Sequence, residues 1–227
     1  MSKLSQETLG GIAVGAGAGA GVALKVVGVS GSLKAPSRTI ALVDEIVAAL
    51  SRQLHVESRV IRINELGPSF AGALNRGEVP EEVEDALRAI ETADVLVVAS
   101  PVYRASFTGL FKHLFDFVDQ YSLVDTPVLL AATGGSERHA LIIEHQFRPL
   151  FSFFQAMTLP LGVYANDADF TDYRLTSERL RARIEKAVAK AVPVIRSSEA
   201  EKIVHLPAPA DTRQQPHDPR KPVRLLS

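Results

Sequence analysis

The chain has 227 residues, 46% apolar and 22% charged, with a net charge of −1. That is enough mass for a core of its own, with no global field to draw nucleic acid or an anionic membrane surface. The absence of cysteine excludes disulfides, thiolate metal sites and a cysteine nucleophile, and it suits a reducing cytoplasm. The six histidines, at 55, 113, 139, 145, 205 and 217, include no H-x-x-x-H pair, so no metal site is expected.

Residues 1–24 hold a Gly/Ala run, Gly10 to Gly21. It lacks the basic start and leucine-rich centre of a signal peptide. Glycine also dilutes it below the about 20 strongly apolar residues of a membrane span. Gly15-x-Gly17-x-x-Ala20 matches a loose dinucleotide fingerprint, but no strand precedes it. The run reads as a flexible extension.

Val26 to Val29 reads as a buried parallel strand, broken at Ser30-Gly31-Ser32. Ser37 is then a helix N-cap, and Leu42, Val43, Ile46, Val47 and Leu50 recur at helical spacing. The first N–H groups of a helix lack internal partners and carry the positive end of its dipole. Ser32, Ser37 and Thr39 add hydroxyls there and Arg38 a guanidinium, which together suit a phosphate. An ordinary capped strand–helix turn has the same spacing.

Val56 to Ile63 is a second strand, and Asn64 to Val79, rich in Gly and Pro signals, a loop. Pro80-Glu-Glu opens a helix whose inner face is Val83, Ala86, Leu87 and Ile90. Asp94 to Ser100 is a third strand leaving through Pro101-Val-Tyr-Arg104, and Leu110, Phe111, Leu114, Phe115 and Val118 line the next helix. Pro127 to Ala132 is a fourth strand ending in Thr133-Gly-Gly-Ser136. A long helix runs from about Arg138 to Met157 with a kink or restart at Pro149, followed by a fifth strand, Leu159 to Tyr164, and a last helix, Thr176 to Val192. From about Ser197 the chain turns Pro-rich and polar and reads as a disordered tail.

Five strands alternating with five helices predict an α/β fold, a parallel sheet covered on both faces. Ligands of such sheets sit beyond the carboxyl ends of the strands. Three loops meet that description: Ser32 to Thr39, Pro101 to Phe107, and Thr133 to Ser136. One phosphate cradle and two loops able to frame a flat ring suggest a mononucleotide, although Pro-Val-Tyr also suits a purely structural strand exit.

Gly31-Ser-Leu-Lys-Ala-Pro-Ser-Arg-Thr39, Ser100-Pro-Val-Tyr-Arg104 with Gly109-Leu-Phe-Lys112, and Ala132-Thr-Gly-Gly-Ser-Glu-Arg-His139 together resemble the NAD(P)H-dependent FMN reductases of the flavodoxin-like superfamily. Among these they look most like the reductase components of two-component alkanesulfonate, in particular methanesulfonate, monooxygenases. The resemblance spans about residues 25–195. It implies a flavodoxin-like doubly wound sheet of order 2-1-3-4-5, a reductase domain over 25–196, and flanking segments 1–24 and 197–227 outside it.

The resemblance further implies FMN and NADH or NADPH as cofactors. Ser32, Ser37, Arg38 and Thr39 would hold the FMN phosphate. Pro101, Val102, Tyr103 and Arg104 would border the isoalloxazine ring, and Thr133, Gly134, Gly135 and Ser136 its pyrimidine edge. No catalytic side chain is expected, because the cofactors carry the hydride chemistry. The partners implied are a monooxygenase that receives reduced FMN and further copies of this chain, as a dimer or tetramer joined through the helix around His145–Phe154. A π-bulge is expected at His145, where an ordinary interface histidine is the alternative. Two other functions fit the same loops: a quinone or azo-dye reductase with tightly held FMN, and a flavodoxin-like electron carrier.

Overall fold

The structure, a computed structural model, describes residues 22–204. The Gly/Ala run and the Pro-rich part of the expected tail lie outside the described residues.

The chain runs through β1 (Leu24–Ser30), α1 (Arg38–Ser51), β2 (Val56–Arg62), α2 (Gly67–Gly72), α3 (Glu81–Glu91), β3 (Val95–Pro101), α4 (Gly109–Asp116) and β4 (Pro127–Gly134), all but α2 as expected. A π-helical turn, Ile143–Phe147, leads into α5 (Arg148–Phe153). Then come β5 (Met157–Thr158), β6 (Val163–Asn166), a 3-10 turn (Asp167–Asp169), β7 (Phe170–Thr171), β8 (Arg174–Leu175) and α6 (Glu178–Val204).

The main sheet is parallel in the order β2-β1-β3-β4, with β5 and β6 both paired to β4. This is the expected 2-1-3-4-5 order. Side chains alternate across a strand, and the two faces feed separate cores. Val26, Val95, Val97, Leu129 and Ala131 pack under α1 and α6. Val27, Val29, Leu96, Val98 and Leu130 pack under α3, α4 and α5, against Phe111, Phe115, Phe147 and Phe151. A Cβ at Gly28 would stand 2.7 Å from Val43 Cγ1, so this glycine lets α1 lie close on β1.

Five expectations are corrected. Asn64 to Val79 is not all loop: α2 forms inside it, with Gly67 at φ 78 and Pro68 in the first helical turn. The fully buried Phe70 anchors α2, its ring 5.0 Å from His113 and 6.4 Å from Phe117. The fifth strand, expected over Leu159 to Tyr164, is instead two short pieces, β5 and β6. Pro160 between them has no N–H to give a ladder, and Gly162 sits close under Ile143. The last helix does not stop at Val192 but runs to Val204, through Pro193 and across the boundary expected at 196/197. The long helix expected from about Arg138 to Met157 is instead a 3-10 turn (Glu137–His139), a π-helical turn and the short α5, which stops at Phe153; Gln155 turns left-handed (φ 55) and Met157 already belongs to β5. The β7–β8 hairpin was not anticipated.

The bulge expected at His145 is present. The N–H of Arg148 reaches back five residues to the Ile143 carbonyl, the bond that defines a π turn, and α5 restarts with Pro149 in its first turn.

Candidate functional site

The carboxyl ends of β1, β3 and β4 open on one cleft of about 290 Å³, lined by Ser32, Lys34, Pro36, Ser37, Arg38, Thr39, Pro101, Val102, Tyr103, Thr133, Gly134, Gly135, Asp167 and Tyr173. Every expected site residue except Arg104 and Ser136 lines it.

The first wall is the turn from β1 into α1. The Ser37 hydroxyl caps the helix, accepting from the N–H of Thr39 at 3.1 Å and of Ile40 at 3.5 Å. The Ser32 hydroxyl donates to the Lys34 carbonyl at 3.0 Å and accepts from its N–H at 3.3 Å. Among the described residues the N–H of Arg38 has no hydrogen-bond partner, so the helix start keeps one donor for an incoming anion. Thr39 is nearly fully buried, and its hydroxyl lies 2.7 Å from that of Thr133. It therefore bolts the first wall to the third.

The second wall leaves β3. The N–H of Val102 donates to the Thr133 carbonyl at 2.8 Å. Tyr103 and Ser106 exchange both backbone bonds, at 2.8 and 3.1 Å, around Arg104 (φ 50) and Ala105 (φ 66). Left-handed geometry at both central residues makes this a tight primed turn. Arg104 is at its exposed tip, outside the cleft lining, while Tyr103 faces the cleft and is 45% exposed. Thr108 ties this wall to the first: its hydroxyl donates to the Gly31 carbonyl at 2.8 Å and its N–H to the Ser100 hydroxyl at 3.0 Å. The Ser106 hydroxyl donates to Gln146 at 3.1 Å, and Phe107 packs edge-on against Phe147 at 5.5 Å. The π-helical turn thus buttresses the second wall from behind.

The third wall is Thr133 to Ser136. The Tyr164 phenol donates to the Ser136 carbonyl and passes so near Gly134 that a Cβ there would collide with its oxygen. Ser136 is held as this anchor and does not line the cleft. Burial, and then the carboxylates of Glu137 and Asp167, push the Tyr164 phenol above its ordinary pKa, so it stays a protonated donor. A Cβ at Gly135 would meet nothing within 4 Å; this glycine leaves the cleft open so that a ligand can approach backbone.

Asp167 and Tyr173 form a fourth wall that sequence reasoning missed. The guanidinium of Arg38 lies 3.1 Å from the Asp167 carboxylate and 5.7 Å over the Tyr173 ring. Asp167 opens the 3-10 turn after β6, which a capping box between Asn166 and Asp169 fixes. Tyr173 stands in the two-residue turn between β7 and β8, where Asp172 (φ 48) and Tyr173 (φ 62) are both left-handed. The Asn166-x-x-Asp169 spacing was a readable signal for the turn; Asp-Tyr is not the Asn-Gly pair that announces such a hairpin.

A sheet of this order, with its polar cleft at the switch between β1 and β3, is a flavodoxin-like α/β architecture. The family model for NADPH-dependent FMN reductase matches residues 24–171, and the chain belongs to that family. The NADH-dependent FMN reductase SfnF of Pseudomonas fluorescens Pf0-1 is 57% identical over 171 residues, covering 75% of this chain and 91% of its own. The NADH-dependent FMN reductase SfnE of Pseudomonas putida is 55% identical, covering 78% and 95%. Among solved structures, an oxidoreductase from Corynebacterium diphtheriae superposes with a TM-score of 0.67 at 32% identity, covering 77% of this chain and 98% of its own. Among the described residues no helix is long and apolar enough to cross a membrane.

Proposed function

We propose that this protein uses NADH or NADPH to reduce FMN and releases the reduced flavin to a separate flavin-dependent monooxygenase that desulfonates alkanesulfonates. The observation that carries the reading is the cleft. It gathers a capped helix start with an uncommitted N–H, one guanidinium, and glycine backbone open to a flat ligand, all at the switch point of the sheet. A phosphate monoester carrying a planar ring fits that donor set. The names of the Pseudomonas relatives support FMN as the flavin and NADH as one reductant.

FMN, when bound, supplies the hydride chemistry. The chain's part is to grip and orient. Arg38, Ser37, Ser32 and the start of α1 take the phosphate end. Pro101, Val102 and Tyr103 border the ring, and Thr133, Gly134 and Gly135 bring backbone to its other edge. Thr39 acts through its bond to Thr133, keeping the two walls at a fixed distance. No side chain is assigned as a proton donor or acceptor. The exposed Leu141 and Phe153, which flank the π-helical turn and end α5, support association of like chains through this segment. A cytoplasmic location, where nicotinamide nucleotides are at hand, goes with the reading.

The test is NADH oxidation in air by purified protein with a catalytic trace of FMN. Turnover should rise with added FMN and saturate, and the protein should lose its flavin on desalting. Oxidation that ignores added FMN would refute the proposal.

A further inference from the structure

A carboxylate stands in the wall of a cleft suited to a dianion. Asp167 and Arg38 both line it, 3.1 Å apart, with side chains 57% and 42% exposed. So open an ion pair adds little to folding, and it does not have to be there to position the turn. The Asn166–Asp169 capping box does that, with Asn166 N–H to Asp169 at 2.9 Å and Ala168 N–H to Asn166 at 3.0 Å. The carboxylate of Asp169 is buried and faces Arg179 at 3.3 Å. Asp167 is the acid of this turn that is turned to the cleft.

Resting on the flavin reading above, we propose that Asp167 is a built-in counter-ion that competes with the FMN phosphate for Arg38 and so keeps the flavin exchangeable. A phosphate carries about −1.5 to −2 charges at neutral pH. To take the guanidinium it must displace Asp167 or sit beside it, and like charges in one site oppose each other. The Tyr173 ring holds the guanidinium from another side. Arg38 therefore stays over the cleft whether its partner is Asp167 or the ligand. When the flavin leaves, the charge is not stranded, because Asp167 takes it back. Lys34 is the other cation lining the cleft, and no ion pair joins it to an acid among the described residues.

The experiment is FMN titration by flavin fluorescence quenching, with stopped-flow release rates, on the full chain and on Asp167→Asn, Arg38→Ala and the double variant. Asp167→Asn keeps the shape and removes the charge. It should tighten FMN about three- to tenfold, mostly by slowing release, and lower the KM for FMN while kcat falls or holds. Structural damage does not tighten binding. In the Arg38→Ala background the same change should gain less than about twofold, because no guanidinium remains to be freed. Unchanged or weaker binding in Asp167→Asn, with Arg38→Ala still weakening FMN, would overturn the inference and leave the flavin site standing. An equal gain in both backgrounds would overturn it too, since Asp167 would then act as a general charge. No effect of Arg38→Ala on FMN would sink the site reading itself.

Discussion

Two arginines show how differently one side chain is held in the cleft and away from it. Arg76, between α2 and α3, gives Nε and Nη2 to Glu84 at 2.8 and 2.9 Å and also reaches Glu91. Its side chain is 32% exposed and those of its partners 25% and 14%. Arg38 faces one half-exposed carboxylate and a ring. The first is chelated by a bidentate, partly buried set and its charge is committed to the fold. The second is loosely held at the mouth of a cleft, and its charge remains available. The number of acceptors and their burial, more than the presence of an ion pair, separates a structural arginine from a binding one.

The sharpest way to break that contrast is Arg76→Met, which leaves Glu84 with Arg88 alone and takes from Glu91 its arginine. It should cost about 2–3 kcal/mol of stability in denaturant melts, whereas Arg38→Ala should stay within about 0.5 kcal/mol. The pH dependence goes with it. Hydrogen bonds from Arg76 are the main cause that lowers the Glu84 carboxyl from 4.5 to about 2. The unfolded chain therefore binds the proton first, and the contribution of this clasp is complete above about pH 4.5 and lost as the pH falls toward 2. Arg76→Met should flatten that part of the stability–pH curve; an unaltered acid limb would reassign the effect to other carboxylates.

A smaller effect is expected at Thr39, which belongs to the cleft but is tied like a core residue. Thr39→Val strands the Thr133 hydroxyl and should cost about 1–2 kcal/mol of stability. FMN affinity should fall by less than in Arg38→Ala. A larger loss of affinity than at Arg38 would mean that the Thr39 hydroxyl turns to the ligand after all.

The strands that build the cleft were readable because each is a short apolar run punctuated by Gly, Ser or Pro: Val26 to Val29, Asp94 to Ser100 and Pro127 to Ala132. Ser37 was readable as a cap for the same local reason. What the sequence hid depends on contacts far along the chain. The hydroxyls of Ser37 and Thr39 look alike as letters, yet one caps the helix and the other meets Thr133, ninety-four positions away. Asp167 and Tyr173 join the cleft only because β6 places the following turn beside α1, through a hairpin of two-residue strands too short for any alternation to register. Arg104 and Ser136 belong to the right loops but are carried away from the cleft, one by a primed turn and the other by the Tyr164 anchor.

On the function proposed for this protein, Arg38 holds a flavin phosphate where β1 passes into α1. The most direct measurement compares FMN with riboflavin, which lacks the phosphate, by equilibrium titration of the unaltered protein and of Arg38→Ala. The unaltered protein should prefer FMN by about 1.5–3 kcal/mol, and most of this preference should vanish in the variant. Equal affinity for the two flavins, or a preference for FMN that survives the loss of Arg38, would contradict that role of Arg38.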